Sequence, residues 1–128
     1  MTISVTRFVT ALKSIPPPSD RQRAFLRAHF EADGRAMTVT KLAKAAPYAS
    51  WRGINLQYGK LAVRIGDELG LSNPTMDLLA DCIRPKELTN EHWILIMRPT
   101  FALALERRTG YESGFVSRLQ RQWFDPAR

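Results

Sequence analysis

Cysteine is nearly absent from this sequence, and its scarcity excludes two common ways of stabilising a small domain. Cys82 is the single cysteine among 128 residues, so no disulfide can form within the chain. A structural zinc site needs clustered cysteine and histidine ligands, and no such cluster is present. Because Cys82 lies in an apolar stretch, we interpret it as a small buried hydrophobe. The fold must therefore rest on a hydrophobic core, with no metal ion expected.

Long apolar runs are also lacking. No stretch approaches the ~18 consecutive apolar residues that a membrane-spanning helix needs. The first residues do not follow the basic, apolar and small-residue order of a secretory signal peptide. We therefore expect a cytoplasmic protein with no membrane partner.

Recognisable catalytic chemistry is missing as well. The histidines His29 and His92 are isolated, and neither paired cysteines nor an aspartate-rich loop accompanies them. Glycine-rich phosphate loops and the Gly-x-Ser-x-Gly nucleophile motif are absent. Nothing near Cys82 would lower the pKa of its thiol, as a nucleophile requires. We expect a protein that is not an enzyme and that holds no cofactor or metal, with His29 at the edge of the core.

Positive charge is abundant and unevenly distributed. The net charge is +7, from 19 Lys and Arg against 12 Asp and Glu. Residues 1–66 contain 11 of the basic residues but only three acidic ones, Asp20, Glu31 and Asp33, which gives this half +8. The remaining residues are almost neutral, with eight basic and nine acidic side chains. Such a basic half favours a polyanionic partner, and a solvated basic surface without a specific partner is the alternative.

Capping and breaking residues divide the chain into short elements. Apolar residues at helical spacing predict helices that polar residues cap and that Pro or Gly residues end. The predicted caps are Ser19 or Asp20, Thr38 or Thr40, and Ser50. The predicted helices cover about residues 5–15, 20–33, 40–46, 51–69, 99–109 and 115–123. One short strand is predicted at Met37-Thr38-Val39 and another at Trp93 to Met97. Met76 to Ile83 permits a helix or a strand, and we favour the strand.

The segment Thr38 to Leu69 has the plan of a helix-turn-helix. A short capped helix is followed by a break at Pro47-Tyr48-Ala49 and then by the longest helical pattern of the chain, Trp51 to Leu69. In such units the second helix enters the major groove of DNA, and its exposed side chains reach bases and phosphates. This segment therefore predicts binding to duplex DNA.

The long helix divides into two faces when residues advance by about 100°. The apolar arc, which should face the core, contains Trp51, Ile54, Tyr58, Leu61, Ala62, Ile65 and Leu69. The opposite side contains Arg52, Gly53, Gln57, Lys60 and Arg64, with Asn55 on a flank. Arginine pairs bidentately with guanine, and asparagine and glutamine pair with adenine. Lysine neutralises phosphate without fixed geometry.

The two later strands would form a hairpin, and its tip, Arg84 to Asn90, carries Arg84 and Lys86. Helix, strand, helix, helix, hairpin is the element order of a winged helix, which is an inference by analogy. We predict an α+β, mainly helical single domain, 1–128, with a winged-helix-like helix-turn-helix. Residues 1–70 would form its basic helical half, and residues 71–128 the small β-hairpin and the C-terminal helices.

The candidate nucleic-acid-binding residues come from the short helix, the long helix and the hairpin tip. They are Thr40, Lys41, Arg52, Asn55, Gln57, Lys60, Arg64, Arg84 and Lys86. The tryptophans Trp51, Trp93 and Trp123 each lie within an apolar pattern. We interpret them as core or interface anchors and not as base-stacking platforms.

Two blocks of this segment resemble a known kind of domain. Thr38-Val39-Thr40-Lys41-Leu42-Ala43 and the later Asn55-Leu56-Gln57-Tyr58-Gly59 are similar to a segment of small bacterial domains attached to HNH-type and other restriction endonucleases. The resemblance covers about residues 22–69, with a weaker block at 93–105 around Met97-Arg98-Pro99. Those domains have Gly-Tyr where this chain has Pro47-Tyr48, so the shape of the turn can differ. The resemblance implies an accessory nucleic-acid-binding role in restriction or phage defence, and without an HNH sequence it transfers no catalytic residue.

The sequence is compatible with three functions from different classes. The first is non-catalytic binding of duplex DNA. The second is a protein-interaction module that binds an acidic protein surface, such as a phage-encoded, anti-CRISPR-like inhibitor of a bacterial defence enzyme. Three Trp and 14 Arg supply the residue types that dominate protein interfaces. An enzyme acting on nucleic acid is the third, although no catalytic constellation is present. A homodimer would fit the first two.

Overall fold

The computed structural model of the protein describes residues 3–85 and 92–109, together with two short strands beyond them. This part is mainly helical with a small antiparallel sheet, so the predicted α+β class is confirmed. Its helices are α1 (Val5–Ser14), α2 (Asp20–Glu31), α3 (Val39–Ala45), α4 (Trp51–Glu68) and α5 (Pro99–Thr109). Its strands are β1 (Ala36–Thr38), β2 (Ala80–Ile83), β3 (Ile94–Met97), β4 (Tyr111–Glu112) and β5 (Phe115–Val116). None of the described helices combines the length and the apolar character needed to cross a membrane.

Side-chain caps fix the starts of four helices. At α2 the hydroxyl of Ser19 accepts from the backbone N–H of Gln22 at 3.2 Å, and Oε1 of Gln22 accepts from the backbone N–H of Ser19 at 2.9 Å. Ser4, Thr38 and Ser50 accept a backbone N–H of the first turn of α1, α3 and α4. Each cap contributes ~1 kcal/mol because it satisfies a donor that the helix leaves unpaired. Ser19, Thr38 and Ser50 are among the caps that the sequence predicts.

Strand β3 is the centre of a three-stranded sheet with the order β1-β3-β2, and both pairings are antiparallel. Ile83 of β2 lies opposite Ile94 of β3, so these two strands form the predicted hairpin. The backbone N–H of Val39 donates to the carbonyl oxygen of Trp93 at 3.0 Å. This bond extends the β1–β3 pairing into the first turn of α3, so the sheet fixes where α3 begins.

Two sequence predictions need correction. The strand predicted from Met76 begins only at Ala80, because Met76–Leu78 forms a 3-10 turn. The helix predicted from Phe115 is wrong at its start, because Phe115–Val116 is a strand paired antiparallel with Tyr111–Glu112. The strand residues Tyr111, Phe115 and Val116 are aromatic or β-branched, which are types that favour a strand. The rest of that prediction, residues 117–123, lies outside the described residues.

One cluster of buried residues connects all five helices with the three-stranded sheet. Helix α1 lies against α5, where the rings of Phe8 and Phe101 are 5.9 Å apart. Helices α2 and α4 meet at Phe25 and Tyr58, whose rings are 4.8 Å apart. Aromatic pairs at these separations contribute roughly 0.5–1.5 kcal/mol beyond their buried area. The core therefore holds α4 along one face and leaves the other face at the surface.

Candidate nucleic-acid interface

Helix α4 has an inner face in the core and an outer face in solvent. The inner face contains the buried residues Ile54, Tyr58, Leu61, Ala62, Ile65 and Gly66. The outer face contains the exposed residues Arg52, Leu56, Lys60, Val63 and Asp67, with exposed Arg64 beside it. The predicted core-facing arc is confirmed, except that Trp51 is only half-buried. A spacing of three or four residues aligns each set along the helix.

The cations of α4 are exposed and lack an acidic partner. Arg52, Lys60 and Arg64 are each exposed, and within the described ranges none forms an ion pair with an acidic side chain. The ion pair at the start of α2 instead joins Arg23 to Asp20, one of the three acids of the basic half. The charge of α4 is therefore directed at solvent and can meet a polyanion.

The charges of α4 oppose the electrostatics of the helix itself. A helix N-terminus carries partial positive charge and its C-terminus partial negative charge, so acids suit the start and bases suit the end. Helix α4 has no acid in its first turn and no base in its last. Arg52 stands in its first turn, whereas Asp67 and Glu68 close its last. Arg52 therefore strengthens the positive potential at the start of α4, which favours binding of an anion. Each charge placed against the dipole lowers the stability of the helix by about 0.3–1 kcal/mol.

Two predicted base-reading residues face the protein. Oε1 of Gln57 accepts from Nε2 of Gln22 at 3.0 Å, and Gln22 is the buried capping residue of α2. Gln57 therefore lacks the free amide oxygen that bidentate pairing with adenine requires, and its role in this structure is to join α4 to α2. Asn55 is half-buried, and its buried Oδ1 has no hydrogen-bond partner among the residues that the structure describes.

The remaining predicted residues belong to α3 and the hairpin. Lys41 is exposed in the first turn of α3, and its backbone N–H donates to the Thr38 hydroxyl at 3.2 Å. Thr40, beside it, is half-buried. Arg84 is exposed directly after β2, and its guanidinium lies 4.8 Å from the ring centroid of Trp93. Lys86 lies outside the described residues.

An aromatic contact that the sequence did not predict links α4 to the hairpin. The rings of Trp51 and Trp93, here called the tryptophan pair, are 6.5 Å apart and tilted by 44°. Both side chains are half-buried and pack against the core. The guanidinium of Arg52 lies 4.9 Å from the Trp51 centroid, as that of Arg84 lies against Trp93. Arginine is thus stacked on each member of the pair, and all four side chains reach the surface where α4 begins.

The turn between α3 and α4 brings one further cation to this side. The ring of half-buried Tyr48 lies so close to α4 that a Cβ on Gly53 would come within 2.8 Å of it. The guanidinium of Arg21, exposed at the start of α2, lies 5.3 Å from the Tyr48 centroid. Arg21 therefore belongs to the same surface as the start of α4, although it lies far from α4 in the sequence.

His29 lies inside the core and not at its edge, where the sequence predicted it. Its Nε2–H donates to the carbonyl oxygen of Leu95 at 2.9 Å, and its Nδ1 accepts from the Tyr58 hydroxyl at 2.6 Å. Because a carbonyl oxygen only accepts, Nε2 carries a proton, and the low pKa of the buried ring keeps Nδ1 unprotonated and the ring neutral near pH 7. Burial lowers the pKa of His29 to about 4 and raises the pKa of Tyr58. Both groups are satisfied inside the core, so their role is structural.

The described residues offer binding groups more than reactive ones. Among them, no group of three or more His, Cys, Asp or Glu side chains could hold a metal ion. Cys82 is half-buried on β2, and burial raises the pKa of its thiol, whereas a nucleophilic thiolate needs a lowered pKa. What the surface presents instead is guanidinium and ammonium groups, with two indole rings between them. These groups suit non-covalent binding of an anion that carries planar rings.

Comparison of the chain with protein families, with curated proteins and with solved structures found no match.

Proposed function

We propose that this protein binds duplex DNA without catalysis, through a winged-helix type of helix-turn-helix formed by α3 and α4. Helix α4 would lie in the major groove, and the β2–β3 hairpin would flank it as the wing. Helix α3 would cross the backbone at its start, where Lys41 is exposed. A place in restriction or phage defence belongs to the same proposal and rests on the resemblance of the Thr38 to Gly59 segment.

The connectivity of the chain supports the proposal. A strand before α3 pairs with the second strand of a hairpin after α4, which gives the order β1-β3-β2. The contact of Trp51 with Trp93 sets the hairpin beside the start of α4. An arrangement of this kind presents one helix and one hairpin on the same side of a domain, although a shared architecture supports a function only by analogy.

The observation that carries the proposal is the set of unpaired cations on α4. Stability favours acids at the start of a helix, yet the start of α4 holds Arg52, and Lys60 and Arg64 follow without acidic partners in the described part of the chain. An anionic ligand explains this placement, because phosphates release counterions when cations bind them. Asp67 and Glu68 limit the contact to the part of the helix before its last turn, since they would repel the DNA backbone.

The proposal gives each cation a role. Arg52, in the first turn of α4, is placed to reach a base edge, because recognition helices contact bases with their N-terminal residues. Lys60 and Arg64 lie further along and would contact phosphates. Arg84 would contact the backbone from the hairpin, as would Lys41 from α3.

Matched charge removals on two helices test the proposal. Arg64→Ala and Lys60→Ala should weaken binding to a short duplex and leave thermal unfolding unchanged, since both side chains are exposed. Arg107→Ala removes the same charge from the exposed side of α5 and should leave affinity nearly unchanged. Fluorescence anisotropy with a labelled duplex measures all three. Equal losses of affinity from the α4 and α5 variants would show that only net charge matters and that α4 is not the binding surface. Absence of binding by the unaltered protein would reject the proposal.

An acidic protein surface is the second candidate, favoured by two apolar side chains among the cations. Leu56 and Val63 are exposed by 56% and 44%, and both lie on the outer face of α4. Exposed apolar side chains that lie together on one face favour a protein contact, and arginine is enriched in protein interfaces. Leu56→Gln separates the candidates, because it removes an anchor without changing charge. Loss of a copurifying protein with unchanged DNA affinity would favour the protein partner.

A further inference from the structure

The tryptophan pair faces the surface at the point where α4 meets the hairpin, and the proposed duplex-binding role gives it no task. Each ring carries a stacked guanidinium, from Arg52 at one end and from Arg84 at the other. Both arginines are exposed and both rings are half-buried. The result is a row of four planar groups, from Arg84 through Trp93 and Trp51 to Arg52, with cations at its two ends.

The chemistry of this row restricts what it can bind. Two guanidinium groups repel a cationic ligand, so a cage for methylated amines is excluded. Indole rings give no advantage to a small inorganic anion, which would need only the arginines. A ligand that combines a planar ring with negative charge uses all four groups, because bases stack on indole and guanidinium planes while phosphates pair with arginine.

A neighbouring acceptor favours a base over other planar anions. Asn55 lies one helical turn after Trp51 and therefore on the same side of α4. Among the described residues its Oδ1, which is buried, has no hydrogen-bond partner. An unsatisfied buried acceptor is unfavourable and requires an explanation. The N–H groups on the pairing edge of an unpaired base are donors of the kind that this oxygen lacks, and the half-buried Asn55 side chain would have to turn outward to meet them. In a duplex those donors are already used.

We propose that the tryptophan pair, with Arg52, Arg84 and Asn55, is a stacking site for one unpaired nucleobase at a junction between double-stranded and single-stranded DNA. This inference rests on the proposed function, since α4 and the hairpin hold the duplex from which the unpaired base extends. The base stacks on the indole of Trp93 or Trp51 after the covering arginine moves aside. The displaced guanidinium then contacts the adjoining phosphate, so the charge stays paired.

The test compares a blunt duplex with the same duplex carrying a short single-stranded overhang, by anisotropy. Stacking of one base corresponds to about 5- to 140-fold in affinity, so the unaltered protein should bind the overhang duplex more tightly by a factor in that range. Trp93→Leu keeps an apolar side chain but loses the ring. Arg84→Lys keeps the charge but loses the planar guanidinium. Both variants should lose the preference, measured as the ratio of the affinities for the two DNAs, and Trp93→Leu should also retain affinity for the blunt duplex.

Two controls separate this site from the duplex-binding surface. Arg64→Ala should weaken binding to both DNAs by the same factor, because it removes charge but no stacking surface. Arg84→Lys changes an exposed side chain, so it keeps the inference testable if Trp93→Leu fails to fold. An acidic peptide with one phenylalanine is titrated in parallel as a probe for a protein ligand.

The outcomes are distinct. Equal affinity of the unaltered protein for the two DNAs, or a preference that survives in both variants, overturns the stacking site and leaves duplex binding standing. Failure to bind either DNA overturns both proposals. Variant-sensitive binding of the acidic peptide without any overhang preference assigns the row to a protein contact and overturns the inference.

Discussion

Tyr58 and Lys60 lie two residues apart on α4, but Tyr58 is packed in the core and Lys60 is in solvent. Tyr58, on the inner face, is fully buried, touches Phe25 and donates its hydroxyl to His29. Lys60, on the outer face, is exposed and has no ion-pair partner in the described part of the chain. Packing and hydrogen bonding explain the inner face. The charges of the outer face oppose the helix dipole, and the proposed anionic partner would explain their placement.

Helices α1, α3 and α5 show part of the pattern that α4 lacks. Their last turns hold Lys13 in α1, Lys44 in α3, and Arg107 with Arg108 in α5, as the dipole favours. The last turn of α4 holds Asp67 and Glu68 instead. Changes on the inner face should alter stability alone, whereas changes on the outer face should alter binding.

Acid should lower the free energy of unfolding through His29 of α2, which bonds to Tyr58 on the inner face of α4. His29 is neutral when folded, with its pKa lowered to about 4 by burial, whereas an unfolded histidine has a pKa of 6.5. The unfolded chain therefore binds the proton more readily between these values, and stability falls as the pH falls from 6.5 toward 4. The loss approaches about 3 kcal/mol below the folded pKa, with about 2 kcal/mol already lost near pH 5. Urea unfolding near neutral pH and near pH 5 measures this loss. An unchanged unfolding free energy would contradict a buried neutral His29.

Gly66→Ala should be the most damaging single methyl added to α4. A Cβ at Gly66 would lie 2.2 Å and 2.4 Å from side-chain atoms of Pro74. The proline ring cannot turn away, so the loop must shift, at an expected net loss of about 1–2 kcal/mol after the better helix propensity of alanine is included. Urea midpoints measure the loss. An equally stable variant would show that the loop at Pro74 is not packed on α4 as described.

Gly59→Ala is the matched change, in the same helix, and should have the opposite sign. A Cβ at Gly59 would meet nothing within 4 Å. Alanine in a helix interior is favoured over glycine by about 0.8–1 kcal/mol, so the melting temperature should rise. Thermal unfolding followed by circular dichroism measures the change. A lower melting temperature of Gly59→Ala would mean that Gly59 packs against other residues. The inner face of α4 would then include this position.

Asp67→Lys should have the smallest effect on stability but a clear effect on binding. A base replaces an acid in the last turn of α4, which should stabilise the helix by about 0.3–1 kcal/mol. It also adds a cation to the face that holds Lys60, so affinity for duplex DNA should increase. Unfolding curves and DNA titrations of one preparation measure both quantities. A more stable protein with weaker DNA binding would separate this face from the binding surface.

The sequence predicted what local rules determine. Pro, Gly and capping residues such as Ser19 and Ser50 punctuate the chain, and the 3.6-residue period identified the core side of α4. It could not predict contacts between distant segments. Gln57 reads locally as an exposed amide, and only its contact with Gln22, 35 residues away, gives it a structural role. The tryptophan pair joins residues 42 positions apart, for which the apolar patterns around each ring give no signal.

The salt dependence of duplex binding tests the central claim most directly. Each phosphate contact contributes about 0.9 to the slope of log affinity against log salt concentration. The double variant Lys60→Ala, Arg64→Ala should therefore lower this slope by about two relative to the unaltered protein, and Arg107→Ala should leave it unchanged. A slope that is the same in all three proteins, or binding that does not depend on salt, would contradict a DNA-binding outer face on α4.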